Sequence, residues 1–254
     1  MTKQPTNNVK DFFTAGWGAL NHLLWPKRCV NCSSVILEAN GELCSECLQQ
    51  IGFVIGDGYC KRCGRDVSEY GVLDGRCPGC QGEEIFFDAI VRAGVYAMSL
   101  REMILSFKTD SGKATKTLCF LANSALSAGS FQSRIDYFVP VPLHWTRKVR
   151  RGYNQSQILA EQLIHPIVKV NTDLVRVRRT KSQASMKTPH QRLRNVQGAF
   201  AVRERHDFAG KRICLVDDIK TTGATLNECA KTLKDAGAAK VFALVLAVAD
   251  QRID

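Results

Sequence analysis

Two sets of residues in this 254-residue chain have types and spacings that can do chemistry. The first lies in Ile213-Cys-Leu-Val-Asp217-Asp218-Ile-Lys220-Thr221-Thr222-Gly223-Ala224-Thr225, an apolar run that ends in two carboxylates and a hydroxyl-bearing, glycine-containing turn. Adjacent carboxylates at the carboxyl end of a strand can accept hydrogen bonds from vicinal hydroxyls. Threonine hydroxyls and backbone N–H groups at the start of a following helix, where the dipole favours negative charge, can hold a phosphate. The pattern fits a sugar phosphate. Asp, Thr and Gly are also common at any helix start, so a plain capped turn is the simpler alternative. A nucleotide P-loop is excluded, because Gly112-Lys113 has Phe107 where the first glycine is needed and Ala114 where a hydroxyl is needed.

The second set is four CxxC pairs, Cys29/Cys32, Cys44/Cys47, Cys60/Cys63 and Cys77/Cys80, which take up eight of the 11 cysteines. Four thiolates at ~2.3 Å from one Zn²⁺ need two tight turns, which CxxC supplies, with a small hairpin expected between them. This implies two structural zinc ions, one per four-cysteine ribbon. About fifty residues this poor in large apolar groups bury little surface, so folding should be coupled to metal binding. A disulfide framework would call for an exported protein, and a CxxC redox site has no use for four copies. Spacing leaves open whether the pairs join in sequence order or interleave. Cys119, Cys214 and Cys229 stand alone in apolar surroundings and read as buried core thiols.

Positive charge is concentrated between these motifs. From Pro140 to Asn195, Lys or Arg occupies positions 147, 148, 150, 151, 169, 176, 178, 179, 181, 187, 192 and 194, against only Glu161 and Asp173, which is almost the whole formal excess of +11. Such a stretch faces an anion or is a solvated surface. Arg147, Arg150 and Arg151 sit between a strand end and a helix, where a loop would meet a pyrophosphate. The polar segment from Arg179 to Asn195 could close over a ligand. Contact with a nucleic-acid backbone is the other functional reading, with only Trp145 and Tyr153 available for base stacking. His144 and His190 are lone histidines and receive no role.

The elements that must carry these residues can be read from periodicity. Val9, Phe12, Phe13, Trp17, Leu20, Leu23 and Leu24 recur at three- and four-residue steps and predict an amphipathic helix within residues 1–28, ending before Pro26. Residues 29–81 form the double ribbon. Residues 82–254 alternate strands (Phe87–Tyr96, Ile135–Val141, Ile167–Val175, Arg212–Val216, Lys240–Ala249) with helices (Leu100–Phe107, Lys116–Ser127, Gln155–Ile164, Thr225–Asp235). The fold class is therefore α/β, a parallel sheet flanked by helices.

The acidic doublet and its Thr/Gly loop resemble the signature of the type I phosphoribosyltransferases. That resemblance implies that Asp217 and Asp218 hold ribose 2′- and 3′-hydroxyls and that Thr221, Thr222, Gly223, Ala224 and Thr225 wrap a 5′-phosphate. It implies 5-phosphoribosyl 1-pyrophosphate (PRPP) as ligand, with Mg²⁺ bridging its pyrophosphate and hydroxyls. Lys220 departs from the signature, either adding charge or pointing outward. With RRGYNQ at 150–155, RTxxQ at 179–183, RLRN at 192–195 and the preceding cysteine module, nearly the whole chain resembles the ComF (ComFC/GntX-like) family. These proteins are associated with DNA uptake by competent bacteria. The family implies either a phosphoribosyltransferase or a non-catalytic PRPP sensor, with single-stranded DNA and proteins of the uptake machinery as further partners.

No apolar run reaches the ~20 residues of a membrane span, and the start of the chain lacks the pattern of a secretory leader. A cytoplasmic protein is expected.

Overall fold

The computed structural model describes residues 26–36, 42–56, 58–68, 70–109, 114–165, 167–180, 186 and 188–249. The expected amphipathic helix near the start of the chain lies outside them. Two compact units result, Met1–Gln49 and Gln50–Asp254.

In the first unit, Cys29 to Cys32 forms a turn closed by the Ser33 N–H donating to the Cys29 carbonyl at 2.9 Å, flanked by an antiparallel bridge between Arg28 and Val35. Residues 37–41 of the stretch expected to form a hairpin lie outside the described residues. Helix α1 (Ser45–Val54) starts directly after Cys44, so Cys47 projects from its first turn, where Glu46 complements the helix dipole.

The second unit is built on five parallel strands in the order β1-β7-β6-β2-β3, with β1 at Ala89–Val95, β2 at Tyr137–Pro140, β3 at Lys169–Val170, β6 at Arg212–Lys220 and β7 at Lys240–Val248. β6 and β7 read as nearly unbroken apolar runs because helices cover both faces of the sheet, and all of β7 after Lys240 is buried. Helix α2 (Met98–Thr109) buries Leu100, Met103, Ile104 and Phe107, and α3 (Thr115–Ser127) buries Leu118, Leu121, Ala122 and Leu126. Two short helices, α4 (Trp145–Arg151) and α5 (Gln155–Glu161), join β2 to β3. Helix α7 (Ala224–Asp235) joins β6 to β7 and buries Leu226, Cys229, Ala230 and Leu233 at three- and four-residue steps.

Three segments depart from their sequence reading. The strand expected over 167–175 splits, because the Asp173 N–H folds back onto Asn171 Oδ1 at 2.8 Å and turns the chain. The chain beyond that turn, β4 (Leu174–Arg176), pairs antiparallel with β5 (Phe200–Val202) as a separate two-stranded ribbon. The arginines at 147, 150 and 151 lie on α4 rather than on an open loop. Part of the segment expected to be a polar flap is helix α6 (Pro189–Val196), started by a capping box in which Thr188 Oγ1 accepts from the Gln191 N–H at 3.2 Å.

The cysteines at 60 to 80 belong to this second unit and are held against the edge of its sheet. The Ile90 N–H donates to the Lys61 carbonyl at 2.9 Å. Arg92, 4% exposed, donates to the Gly64 carbonyl at 2.8 Å, pairs with Asp66 and stacks 4.8 Å over the Tyr59 ring. Gly64 has φ +81°, and a Cβ there would meet Val248 Cγ2 at 3.0 Å.

Arg92→Ala should lower the stability of the zinc-loaded protein by about 2 kcal/mol, the scale of a buried charge-assisted hydrogen bond. Equilibrium denaturation measures this, and an unchanged midpoint would mean that the ribbon is held without it.

Candidate functional site

Connections diverge between β2 and β6. After β2 the chain leads outward to β3, whereas after β6 it leads through α7 to β7 on the opposite side. That reversal leaves a crevice above the carboxyl ends of the two strands, where open α/β sheets take ligands.

β6 continues through the acidic doublet to Lys220, four residues beyond its expected end, because Asp217, Ile219 and Lys220 stay in register with Val245, Ala247 and Val248 of β7. Asp217 Oδ1 accepts from the Ser156 hydroxyl at 2.9 Å and from the Asp218 N–H at 2.9 Å. Asp218 Oδ1 accepts from the Ile219 N–H at 2.7 Å, while its Oδ2 lies 2.8 Å from Lys108 Nζ. Burial pushes the Asp217 carboxyl up to about 7. The charge of Asp218 adds to the rise, and the Ser156 hydroxyl, the Asp218 N–H and Lys108 oppose it.

Asp217, Lys220 and Thr221 to Thr225 line one small concavity of about 20 Å³. Gly223 turns the loop with φ +82° and caps α7, and the Thr222 hydroxyl accepts from the Ala224 N–H at 3.4 Å. The backbone angle is what calls for glycine, and a Cβ at Gly223 would stand 2.9 Å from Lys220 Cε, so the lysine stem would have to shift as well. Lys220 itself is 3% exposed. It does not point outward; its stem packs beneath the loop it precedes.

The segment after β2 is tied to the doublet residue by residue. Asn154 donates to the Val141 carbonyl at 3.1 Å, and its Oδ1 caps α5 by accepting from the Ser156 N–H at 3.2 Å. Tyr153 donates its hydroxyl to the Phe107 carbonyl at 2.7 Å, which fixes the end of α2 beside Lys108. Arg151 donates to Gln155 Oε1 at 3.2 Å. The side chains of Arg147 and Arg150 lie outside the described residues, as do residues 181–185 and 187 of the basic segment. His144 Nδ1 accepts from the Thr146 N–H at 3.3 Å, a structural cap on α4.

Sequence reasoning missed Lys108 and Ser156. Lys108 was findable, since it stands four residues after Ile104 on the apolar ladder of α2, where a cation needs a partner. Ser156 carried no signal, because its contact with Asp217 spans 61 residues.

The cysteines resolve into two sets in sequence order, Cys29/Cys32/Cys44/Cys47 and Cys60/Cys63/Cys77/Cys80, and within each set the four sulfurs lie within 4.8 Å of one another. All eleven cysteines are free of disulfides, with Cys119, Cys214 and Cys229 buried as expected. A tetrahedron of four sulfurs at ~2.3 Å from zinc has edges of about 3.8 Å. Cys32 and Cys44 are 3.6 Å apart, Cys60 and Cys80 3.9 Å, Cys63 and Cys77 3.5 Å, and Cys77 and Cys80 3.7 Å. The donor sets fit zinc. Around the first, Asn31 Nδ2 donates to Cys47 Sγ at 3.2 Å, the outer-shell contact that steadies a thiolate ligand.

Comparison with known proteins matches a double zinc ribbon domain to residues 20–81 and a phosphoribosyl transferase domain to residues 106–253. Competence protein F of Haemophilus influenzae is 31% identical over 221 residues, covering 84% of this chain and 93% of its own. Competence protein ComFC of Bacillus subtilis is 27% identical over 215 residues, covering 80% of this chain and 82% of its own. Among solved structures, a purine phosphoribosyltransferase from Pyrococcus horikoshii superposes with a TM-score of 0.30 at 20% identity, covering 52% of this chain and 75% of its own.

The purified protein should hold two equivalents of zinc, and Cys60→Ser with Cys63→Ser should leave one; metal analysis showing none in the unaltered chain would contradict the ribbon assignment. A second expectation concerns Asp217. Its carboxyl titrates near 7 when folded and near 3.8 when unfolded, so the unfolded chain binds fewer protons between those values and stability declines as pH rises toward 7, levelling above. Asp217→Asn should flatten the part of this decline between about pH 5.5 and 7 in denaturation curves, and an identical pH dependence would show that Asp217 is ordinarily ionised.

Proposed function

We propose a function from one premise: the chain belongs to the ComF family, that of competence protein F and ComFC, in which a double zinc ribbon precedes a phosphoribosyltransferase domain. In this reading the domain binds PRPP. Asp217 and Asp218 receive the ribose hydroxyls, residues Thr221 to Thr225 hold the 5′-phosphate through hydroxyls and backbone N–H groups, and Arg147, Arg150 and Arg151 face the pyrophosphate. The observation that carries it is the convergence of a half-buried carboxylate pair and a glycine-turned threonine loop at the carboxyl end of β6.

Mg²⁺ suits this donor set. It keeps several waters and takes one or two carboxylates together with substrate phosphates, and Asp217 has an oxygen, Oδ2, without a hydrogen bond among the described residues. Bound there with PRPP, it would supply charge neutralisation at the pyrophosphate. The chain's own groups position the pentose and surround it with fixed charge. Displacement at the anomeric carbon would break its bond to pyrophosphate oxygen, which departs with the electron pair as a nucleophile forms the new bond. The sugar is cationic midway, and the carboxylates beside it and the cations beside the leaving group lower that barrier.

In this reading the role belongs to DNA uptake and natural transformation, in the cytoplasm, and the support for it is the word competence in the names of the relatives. All eleven cysteines are outside disulfides, which fits a reducing compartment. Among the described residues no helix is long and apolar enough to cross a membrane. A sensor that binds PRPP without turnover differs from an enzyme by one readout, pyrophosphate release in the presence of candidate amines.

Asp217→Asn with Asp218→Asn should abolish calorimetric binding of PRPP while zinc content and far-UV circular dichroism stay as they are. Unchanged affinity in that variant would refute the site.

A further inference from the structure

Two of the four carboxylate oxygens of the doublet are held by N–H groups of the same strand, those of Asp218 and Ile219. Asp218 Oδ2 is held differently, by an ammonium from another element. Lys108 Nζ lies 2.8 Å from it, with the lysine side chain 24% and the aspartate side chain 15% exposed. A pair this sheltered keeps much of its attraction, yet about a quarter of the lysine side chain is still exposed.

The lysine is delivered there by structure rather than by chance contact. It ends an apolar ladder of Leu100, Ile104 and Phe107 that is buried in the core. The carbonyl of its neighbour Phe107 accepts the Tyr153 hydroxyl, and Tyr153 follows directly on the arginine-bearing helix α4 and Gly152. The ammonium therefore stands at the acidic doublet, on a helix whose end is tied to the residue two beyond α4. If both carboxylates are to receive ribose hydroxyls, Asp218 Oδ2 must be freed, and the cation released from it needs another anion nearby.

We propose that Lys108 is an exchangeable counter-ion of the site, neutralising Asp218 when the site is empty and pairing with the anionic group on the anomeric carbon of the ligand when it is filled. This rests on the PRPP reading and adds to it a residue that tells a pentose 5-phosphate with a 1-pyrophosphate from one without. A merely structural lysine would affect both ligands alike. A selective one affects the first alone.

The test is calorimetric titration of the full zinc-loaded chain and its Lys108→Met variant with two probes, PRPP and ribose 5-phosphate, in the same Mg²⁺ buffer. Loss of one charge-assisted contact should weaken PRPP binding roughly tenfold to a hundredfold. Ribose 5-phosphate affinity should stay within about twofold or tighten, because Asp218 no longer carries a competing cation. Lys108→Arg, which keeps the charge, should restore most of the preference for PRPP. Equal losses for the two ligands, or no loss for either, would overturn the inference while leaving the PRPP reading intact. An unaltered chain that binds neither probe would overturn both.

Discussion

Everything at the site depends on β6 being paired on both sides. Its backbone groups are taken by β2 on one flank and β7 on the other, so the strand can bury an apolar run and still emerge with two carboxylates at a fixed height and spacing. The pairing with β7 continues past the doublet to Lys220, and this rigidity lets Asp217 be sheltered enough for its proton affinity to rise. The loop beyond is rigid for a different reason. Gly223 takes a backbone angle that residues with a Cβ rarely adopt, and Lys220 fills the space a Cβ would need.

The site is therefore assembled from both sides of the crevice. From β6 come the acids and the threonine loop. From the segment after β2 come Asn154, which ties its own strand exit to α5, and Ser156, which holds Asp217. From α2 comes Lys108. Each of these polar contacts also links elements of the fold, so the geometry of the site and the packing around it are set together.

The local signals read well from sequence wherever a short-range rule governs. The four CxxC pairs meet as two tetrahedral sets, because each turn needs only its own four residues. β6 and α7 stand where the apolar run and the glycine turn put them, since parallel-sheet burial and helix capping leave direct marks on composition. Misread segments are those governed by local polar chemistry of a subtler kind. The Thr188-Pro-His-Gln191 cap is present in the sequence and starts α6, but the surrounding charges suggest a loop. Asn171 breaks a strand whose apolar content points to continuity. Lys220 reads as a surface charge, whereas its four-carbon stem makes it good packing material under a loop. Contacts such as Ser156 with Asp217 depend on how distant segments come together and leave no local trace.

The most direct measurement is a crystal structure of the zinc-loaded chain with ribose 5-phosphate bound. The expected result is the phosphate within hydrogen-bond distance of backbone N–H groups between Thr221 and Thr225, with both ring hydroxyls on the Asp217 and Asp218 carboxylates. Density for the sugar elsewhere, or a loop that remains closed around Lys220 with no phosphate in it, would contradict the assignment of this crevice to a phosphorylated pentose.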